Sequence, residues 1–358
     1  MAYTTIDNPE LFHQTILHAG KNQSFTFTGS ENMQPTLIWN KNRDSGGYDH
    51  HITDSVRGTN KLLRVSTNIA EFTVPQADTV TSFNSDGFTI GNDANGYFAS
   101  GSDKQVSWCW AAGTSFSNDA SATSVGSIDS SGNITTDAGI SIIKYTGAGT
   151  GTTTTIAHGL GAKPEMYVVK SLDSVGNWQT YHHNMSSDPK TDYIQFDNDA
   201  APADYTFWGD TAPTSTVFTV KDGNDVNESG EEYFAWVFKA IKGYSKFGKY
   251  TGNGNADGTF TFTGFKPAWI MLKNVSQSQN WYIYDNKRSP FNPADDHIYA
   301  DLANAEVVDA SFVIDILSNG FKMRNSNDGW NGSGEDYMYM AFAESPMINS
   351  KKVPNNAR

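Results

Sequence analysis

The sequence predicts an all-β protein made of three tandem antiparallel β-sandwiches. Three observations carry that prediction. One set of landmarks recurs three times along the 358 residues. The segments between landmarks alternate apolar and polar residues with the period of a strand. The composition, with 32 glycines and 13% aromatic residues but no long apolar helical stripe, favours short strands and many turns.

The landmarks run in a fixed order. His18-Ala19-Gly20, Tyr145-Thr146-Gly147 and Tyr250-Thr251-Gly252 open the copies. Pro35, Pro164 and Pro267 follow 15, 17 and 15 residues after the glycines, and Lys41, Lys170 and Lys273 stand six residues further on. Aromatic strands close them: "VSWCWAA" (Val106–Ala112), "YFAWVFKA" (Tyr233–Ala240) and "YMYMAFAE" (Tyr337–Glu344). From proline to last aromatic the separations are 75, 74 and 75 residues (Pro35 to Trp110, Pro164 to Phe238, Pro267 to Phe342). These spacings divide the chain into an arm 1–15, copies at 16–112, 143–240 and 241–344, a linker 113–142 and a tail 345–358. Each copy is near the ~100 residues of a small sandwich and long enough to enclose a core of its own.

Within the arm, "DNPELF" suits a short helix capped by Asp7. In "FTFTG", which occurs at Phe25–Gly29 and again at Phe260–Gly264, alternation puts the phenylalanines on one face and the threonines on the other. Phe25, Phe27, Phe260 and Phe262 are therefore expected in the core and the threonines in solvent. The runs after each proline, "TLIWNK", "MYVVK" and "AWIMLK", suit inner strands covered on both faces. Trp108 and Trp110, then Phe234, Trp236 and Phe238, then Phe342, complete the expected aromatic core. The Ser/Gly/Thr-rich linker contains "SIDSSGNIT", which reads as a hairpin around Ser-Gly-Asn. "ADDHIYADLANAE" (Ala294–Glu306) suits a short helix.

Charge and cysteine content restrict function. With 25 Lys+Arg against 39 Asp+Glu, the net charge of −14 opposes nucleic acid and anionic membranes as partners. No apolar run approaches the ~18 residues of a membrane span, and the N-terminus lacks the pattern of a signal peptide. The lone Cys109 rules out an internal disulfide and reads as a small buried strand residue.

No catalytic constellation stands out. The sequence lacks a P-loop, a Rossmann fingerprint, G-x-S-x-G and H-E-x-x-H. Adjacent His182 and His183 point to opposite faces of a strand, so they do not share a metal. "DGNDVNESGEE" (Asp222–Glu232) crowds oxygen ligands but lacks calcium-loop spacing. Neither metal nor cofactor is expected. Asp54/Arg57 and Asp285/Arg288 occupy matching places after the prolines and read as structural ion pairs. Exposed-looking loops at 221–232 and 324–336, the latter with Asn327, Asp328, Trp330 and Asn331, are the candidate ligand contacts.

Several stretches carry a wider resemblance: "MAYTTIDNP", "DSVRG", "SFNSDGFTIG", "GISIIKYTGAG", "HGLGAKPEMYVVK", "FGKYTGNGNADGTFTFTGFKPAWIMLK", "DNKRSPFN", "LSNGFKMR", "YMYMAFAESP" and "VPNNAR". Through them the chain resembles structural proteins of marine bacteriophages, including phages of cyanobacteria, with repeated lectin-like jelly-roll modules. The resemblance implies a non-enzymatic virion protein. It would be made in a bacterial cytoplasm and exposed on the tail or capsid. Its expected partners are other virion proteins, further copies of itself in a trimer, and a host-surface glycan. The alternatives are a capsid decoration protein and a glycan-degrading enzyme. The arm and the tail, with Lys351, Lys352 and Arg358, are the expected attachment points.

Overall fold

The computed structural model describes residues 3–355, and its ordered elements are nearly all antiparallel strands. The same sheet order occurs three times among them. In the first large sheet, His13–His18 and Leu37–Asn42 flank the closing strand Gln105–Trp110, and His51–Asp54, Gly58–Arg64 and Phe72–Thr73 continue outward. In the second, Ile140–Thr146 and Met166–Ser171 flank Glu232–Phe238, and Gln179–His182, Asp192–Gln195 and Ala203–Asp204 follow. In the third, Ser245–Thr251 and Phe265–Asn274 flank Asp336–Pro346, and Trp281–Asp285, Asp296–Tyr299 and Val307–Val308 follow. A small sheet accompanies each: Gln23–Phe25 with Gly87–Ile90 and Val80–Asn84, Thr154–Ala157 with Val217–Val220, and Phe260–Phe262 with Gly320–Met323 and Ile314–Leu317.

The closing strands are central in their sheets, so both faces are covered. On Gln105–Trp110, Val106, Trp108 and Trp110 face one way, while Cys109 joins Phe88, Ile90 and Val80 beneath the small sheet. On the third closing strand, Met338, Met340 and Phe342 take the first face and Tyr337, Tyr339 and Ala341 the second. Period-2 alternation thus feeds two cores from one strand.

Here the expectation of three separately closed cores is corrected. Trp39, Trp108 and Trp110 of the first copy, Trp236 and Phe238 of the second, and Trp269 and Phe342 of the third belong to one continuous cluster. Trp110 meets Trp236 edge to face at 5.0 Å and Trp269 at 5.6 Å, and Phe238 lies 6.1 Å from Phe342. The interior of the second copy is continuous with this cluster, while the first and third copies keep additional cores under their small sheets. Each buried ring contributes about 4–6 kcal/mol before entropy. The shared aromatic centre therefore holds the three copies together.

Four local expectations are also corrected. Residues 114–135 are not a loose linker: Thr114–Asn118 and Ser130–Thr135 extend the second large sheet. The Ser-Gly-Asn step is not a turn either. Gly132 lies within the strand, where its backbone runs so close to the neighbouring strand that a Cβ would come within 2.0 Å of Ile142 O. The segment expected to be helical contains the strand Asp296–Tyr299, which buries His297 on one face and Ile298 on the other. Asn8, not Asp7, caps the 3-10 turn Pro9–Leu11. Asp7 instead accepts a 2.6 Å hydrogen bond from Ser350 N and a second from its hydroxyl.

Arm and tail are thus tied to each other as well as to the body. Tyr3 Oη donates to Gly264 O at 2.7 Å, and Asn355 Nδ2 donates to Ser318 O at 2.8 Å. Arg358 lies outside the described residues.

The two "FTFTG" segments sit in opposite registers. Phe25 pairs with Phe88, but it is Thr261 that pairs with the equivalent Phe321, and Phe262 pairs with Gly320. A one-residue slip sends every side chain to the other face. Phe27 is buried and Phe25 partly so, its ring tilted against that of Phe88 with centroids 5.7 Å apart. Phe260 and Phe262 are 44% and 47% exposed, contrary to expectation. The two segments also sit at different distances from their prolines: Phe25 lies ten residues before Pro35, Phe260 seven before Pro267.

Candidate functional site

The recurring lysines mark the contacts between copies. Lys41 Nζ donates to Tyr48 O at 2.6 Å and to Ala303 O of the third copy at 3.3 Å. Lys170 Nζ donates to Ser171 O at 3.0 Å and to Asn68 O of the first copy at 3.4 Å. Lys273 Nζ donates to Asp199 O of the second copy at 2.8 Å and also to Gln279 O. The ties run first to third, second to first and third to second, which closes a ring. Burial pushes each of these ammonium groups down to about 8, against the pull of nearby carboxylates.

A second ring runs beside the first. Trp178 Nε1 donates to Arg64 O of the first copy and Trp281 Nε1 to Gln195 O of the second, both at 3.0 Å. In the first copy His50 takes this place, with Nε2 2.8 Å from Tyr299 O of the third copy. Because Trp39 Nε1 donates to His50 Nδ1 at 2.9 Å, Nδ1 is the acceptor and Nε2 carries the hydrogen. Burial holds this imidazole well below its ordinary pKa, and so neutral. Behind the tryptophans, Asp197 Oδ1 accepts from Trp178 N and Asp301 Oδ1 from Trp281 N, each at 3.1 Å. Burial pushes the two carboxyls up to about 6 and about 7.

The four charged residues singled out in sequence lie at the same interfaces. Arg57 Nε is 2.6 Å from Asp54 Oδ2, and its Nη1 is 2.9 Å from Glu71 Oε2. The guanidinium stands 5.2 Å from the Phe234 ring centroid in the second copy. Arg288 pairs with Asp285 and with Glu306 at 3.0 Å, and lies 5.6 Å from the Trp108 ring of the first copy. Trp108 Nε1 donates to Asp285 Oδ2 at 2.9 Å, and Arg43 adds a 2.7 Å bridge to Glu306. Burial raises the Asp285 carboxyl's pKa, but the Arg288 charge and hydrogen bonds outweigh it and hold the group below its ordinary value. At the corresponding place in the second copy, His182 Nε2 and His183 Nε2 lie 3.3 and 2.8 Å from Tyr339 O and Phe247 O of the third.

The loop expected to bind ligand is mostly internal structure. Trp330 and Asn331 are buried and do not form a contact surface. Asn331 Nδ2 donates to Asn325 O and Asn255 O at 2.7 and 2.9 Å, closing the loop as Asn227 does for Gly149 O and Thr152 O in the second copy. Asn327 Oδ1 accepts from Gly329 N at 2.8 Å, and Asp328 O accepts from Tyr337 Oη at 2.6 Å. The Asp328 side chain remains exposed.

Of the expected core aromatics, Phe27, Trp108, Trp110, Phe234, Trp236, Phe238 and Phe342 are buried, Phe25 is partly buried, and Phe260 and Phe262 are on the surface. Among the described residues no three His, Cys, Asp or Glu side chains gather as metal ligands would.

An open groove of about 630 Å³ lies between the second and third copies. Glu165, His183, Lys242, Lys246, Phe262 and Tyr339 are among the residues that line it. Sequence reading missed it because its walls come from segments far apart in the chain. The available sign was the Thr-Phe alternation, which reads equally well in either register.

A comparison with curated proteins finds no match. A family model described as Domain of unknown function (DUF7483) matches residues 8–346, and the chain belongs to that family.

Proposed function

We propose that this chain is a non-enzymatic structural protein of a bacteriophage particle, carried on the virion surface as a tail-fibre-like component that contacts the host. The observation that supports this reading is the use of its buried polar chemistry. Lys41, Lys170, Lys273, His50 and Arg43, buried or nearly so, bond across copy boundaries, and Arg288 lies against a ring of another copy. Such groups would be candidates for catalysis in an enzyme; here their hydrogen bonds and charges are committed to holding a ring together. A ring closed within one chain and without a disulfide suits a particle component that has to stay folded outside the cell.

Mass spectrometry of purified particles, followed by reconstruction with the chain located, tests the proposal. A few to tens of copies at the tail is the expected result, and absence from the particle overturns it. A second reading, capsid decoration, draws support from the arm and tail being tied back onto the body, which gives a self-contained knob. Many copies on the shell would select it. Purified protein incubated with host envelope polysaccharide should release no oligosaccharide. The threefold geometry lies within one chain, so solution mass decides whether the unit is 39.2 kDa or the expected homotrimer of three such chains.

A further inference from the structure

We infer that Phe260, Phe262 and the adjoining groove form a binding site for an acidic polysaccharide, its sugar faces resting on the two rings and its carboxylates held by lysines. The register of this strand motivates the inference. Phe260–Phe262 exposes two phenyl rings while Thr261 is buried with no protein partner for its hydroxyl. The first-copy "FTFTG" lies in the opposite register, with Phe27 inside. Large apolar side chains in water together with an unpaired buried hydroxyl invert the usual economy of folding. Such local conflict in an otherwise consistent fold marks a place shaped by binding.

The surroundings indicate the ligand. Two residues along a strand set the rings about 6–7 Å apart on one face, a spacing that suits successive rings of a polymer. Phenyl faces are electron-rich and attract the polarised C–H face of a pyranose. Lys246 fixes the second ring, with Nζ donating to Phe262 O at 2.6 Å and lying 5.5 Å from the ring centroid. Lys242 stands 4.5 Å over Tyr3 at the same groove. Lys242, Lys246 and Lys249 line the groove against a single carboxylate, Glu165, in a chain of net charge −14. Glu165 itself is 3.6 Å from His183, and Lys249 is shared with Asp336 at 3.4 Å. Positive charge concentrated beside exposed aromatics on an acidic protein selects an anionic partner with flat apolar faces. A uronic-acid polymer has one carboxylate per sugar; a single-stranded nucleic acid also stacks on aromatics, but its dense phosphates meet the repulsion of the whole chain.

Titration calorimetry of the full chain with alginate, a uronic-acid polymer, tests the site, with neutral dextran and an oligothymidylate as controls. Alginate should bind, dextran and oligothymidylate at least tenfold more weakly. Phe260→Ala/Phe262→Ala should lower alginate affinity at least tenfold with the melting midpoint held within a few degrees. Lys242→Gln should lower affinity severalfold and flatten its salt dependence. No alginate binding, unchanged binding by the double variant, or preference for oligothymidylate overturns the inference. So does concentration-dependent dimerisation that the double variant abolishes, because the rings would then be covered by a second copy. The inference takes its biological ligand from the host-contact reading. Absence from particles would sink that reading and leave the alginate result standing, whereas failure to bind alginate leaves the particle location untouched.

Discussion

At the scale of single residues, the chain places ionisable groups where water is absent and uses them as ties. Asp301 is the clearest case. Its Oδ1 accepts from Trp281 N, while Oδ2 is buried with no protein partner. Burial lifts the folded carboxyl from 3.8 to about 7. For an acid raised on folding, the folded state holds the proton that the unfolded chain has released, so stability falls as pH rises from about 4 to about 7. Asp301→Asn keeps the acceptor and removes the charge. The variant should gain on the order of 2 kcal/mol at pH 8 and little at pH 4, which urea titration at the two pH values would measure. A loss at pH 8 would refute this account. The lysines act in the opposite window. Lys41, Lys170 and Lys273 fall from 10.5 to about 8 on folding. Their desolvation cost is complete below pH 8 and is relieved as pH rises toward 10, so the lysines contribute a rise in stability over that interval. The Arg288 network is buried and shared by Asp285 and Glu306. Arg288→Met leaves the buried Asp285 carboxylate without its cation, while Glu306 keeps Arg43, and should cost about 3–5 kcal/mol, read as a drop in the denaturation midpoint.

At the scale of elements, register decides what a sequence motif does. "FTFTG" is identical at Phe25 and Phe260, yet it turns opposite faces to the core. Phe27→Ala should cost about 3–5 kcal/mol as a buried aromatic deletion. Phe262→Ala should stay within about 1 kcal/mol, since surface changes are usually small. Equal losses would contradict the slip. Thr261→Val, which removes the unpaired hydroxyl, should be neutral or stabilising by about 1 kcal/mol. Much of this level was legible in advance. The Pro-to-aromatic spacing located the closing strands, and the apolar runs after each proline became inner strands. Register was not legible, because Thr-Phe alternation is symmetric to a one-residue shift. The segment at 294–306 was misread for a related reason. Asp296–Tyr299 is covered on both faces, so its polar and apolar residues do not announce a strand.

At the scale of the whole molecule, the shared aromatic centre should make the three copies unfold together. Calorimetry of the intact chain is expected to give one transition, with calorimetric and van't Hoff enthalpies agreeing. Residues 241–355 expressed alone would expose Trp269, Met271 and Phe342, which the other copies cover. That fragment should bind a hydrophobic dye or aggregate. A fragment as stable as the parent would restore the picture of independent sandwiches.

By itself the sequence determined that this is an all-β chain, with its main strands and its threefold recurrence, because composition, alternation and spacing are local properties. Only the tertiary structure decided that the copies close into a ring around a common centre, that the three lysines six residues after each proline tie neighbour to neighbour, and that one pair of phenylalanines points outward. Those outcomes depend on which surfaces meet across hundreds of residues, and alternating strands carry equal information for either face until a partner covers one of them.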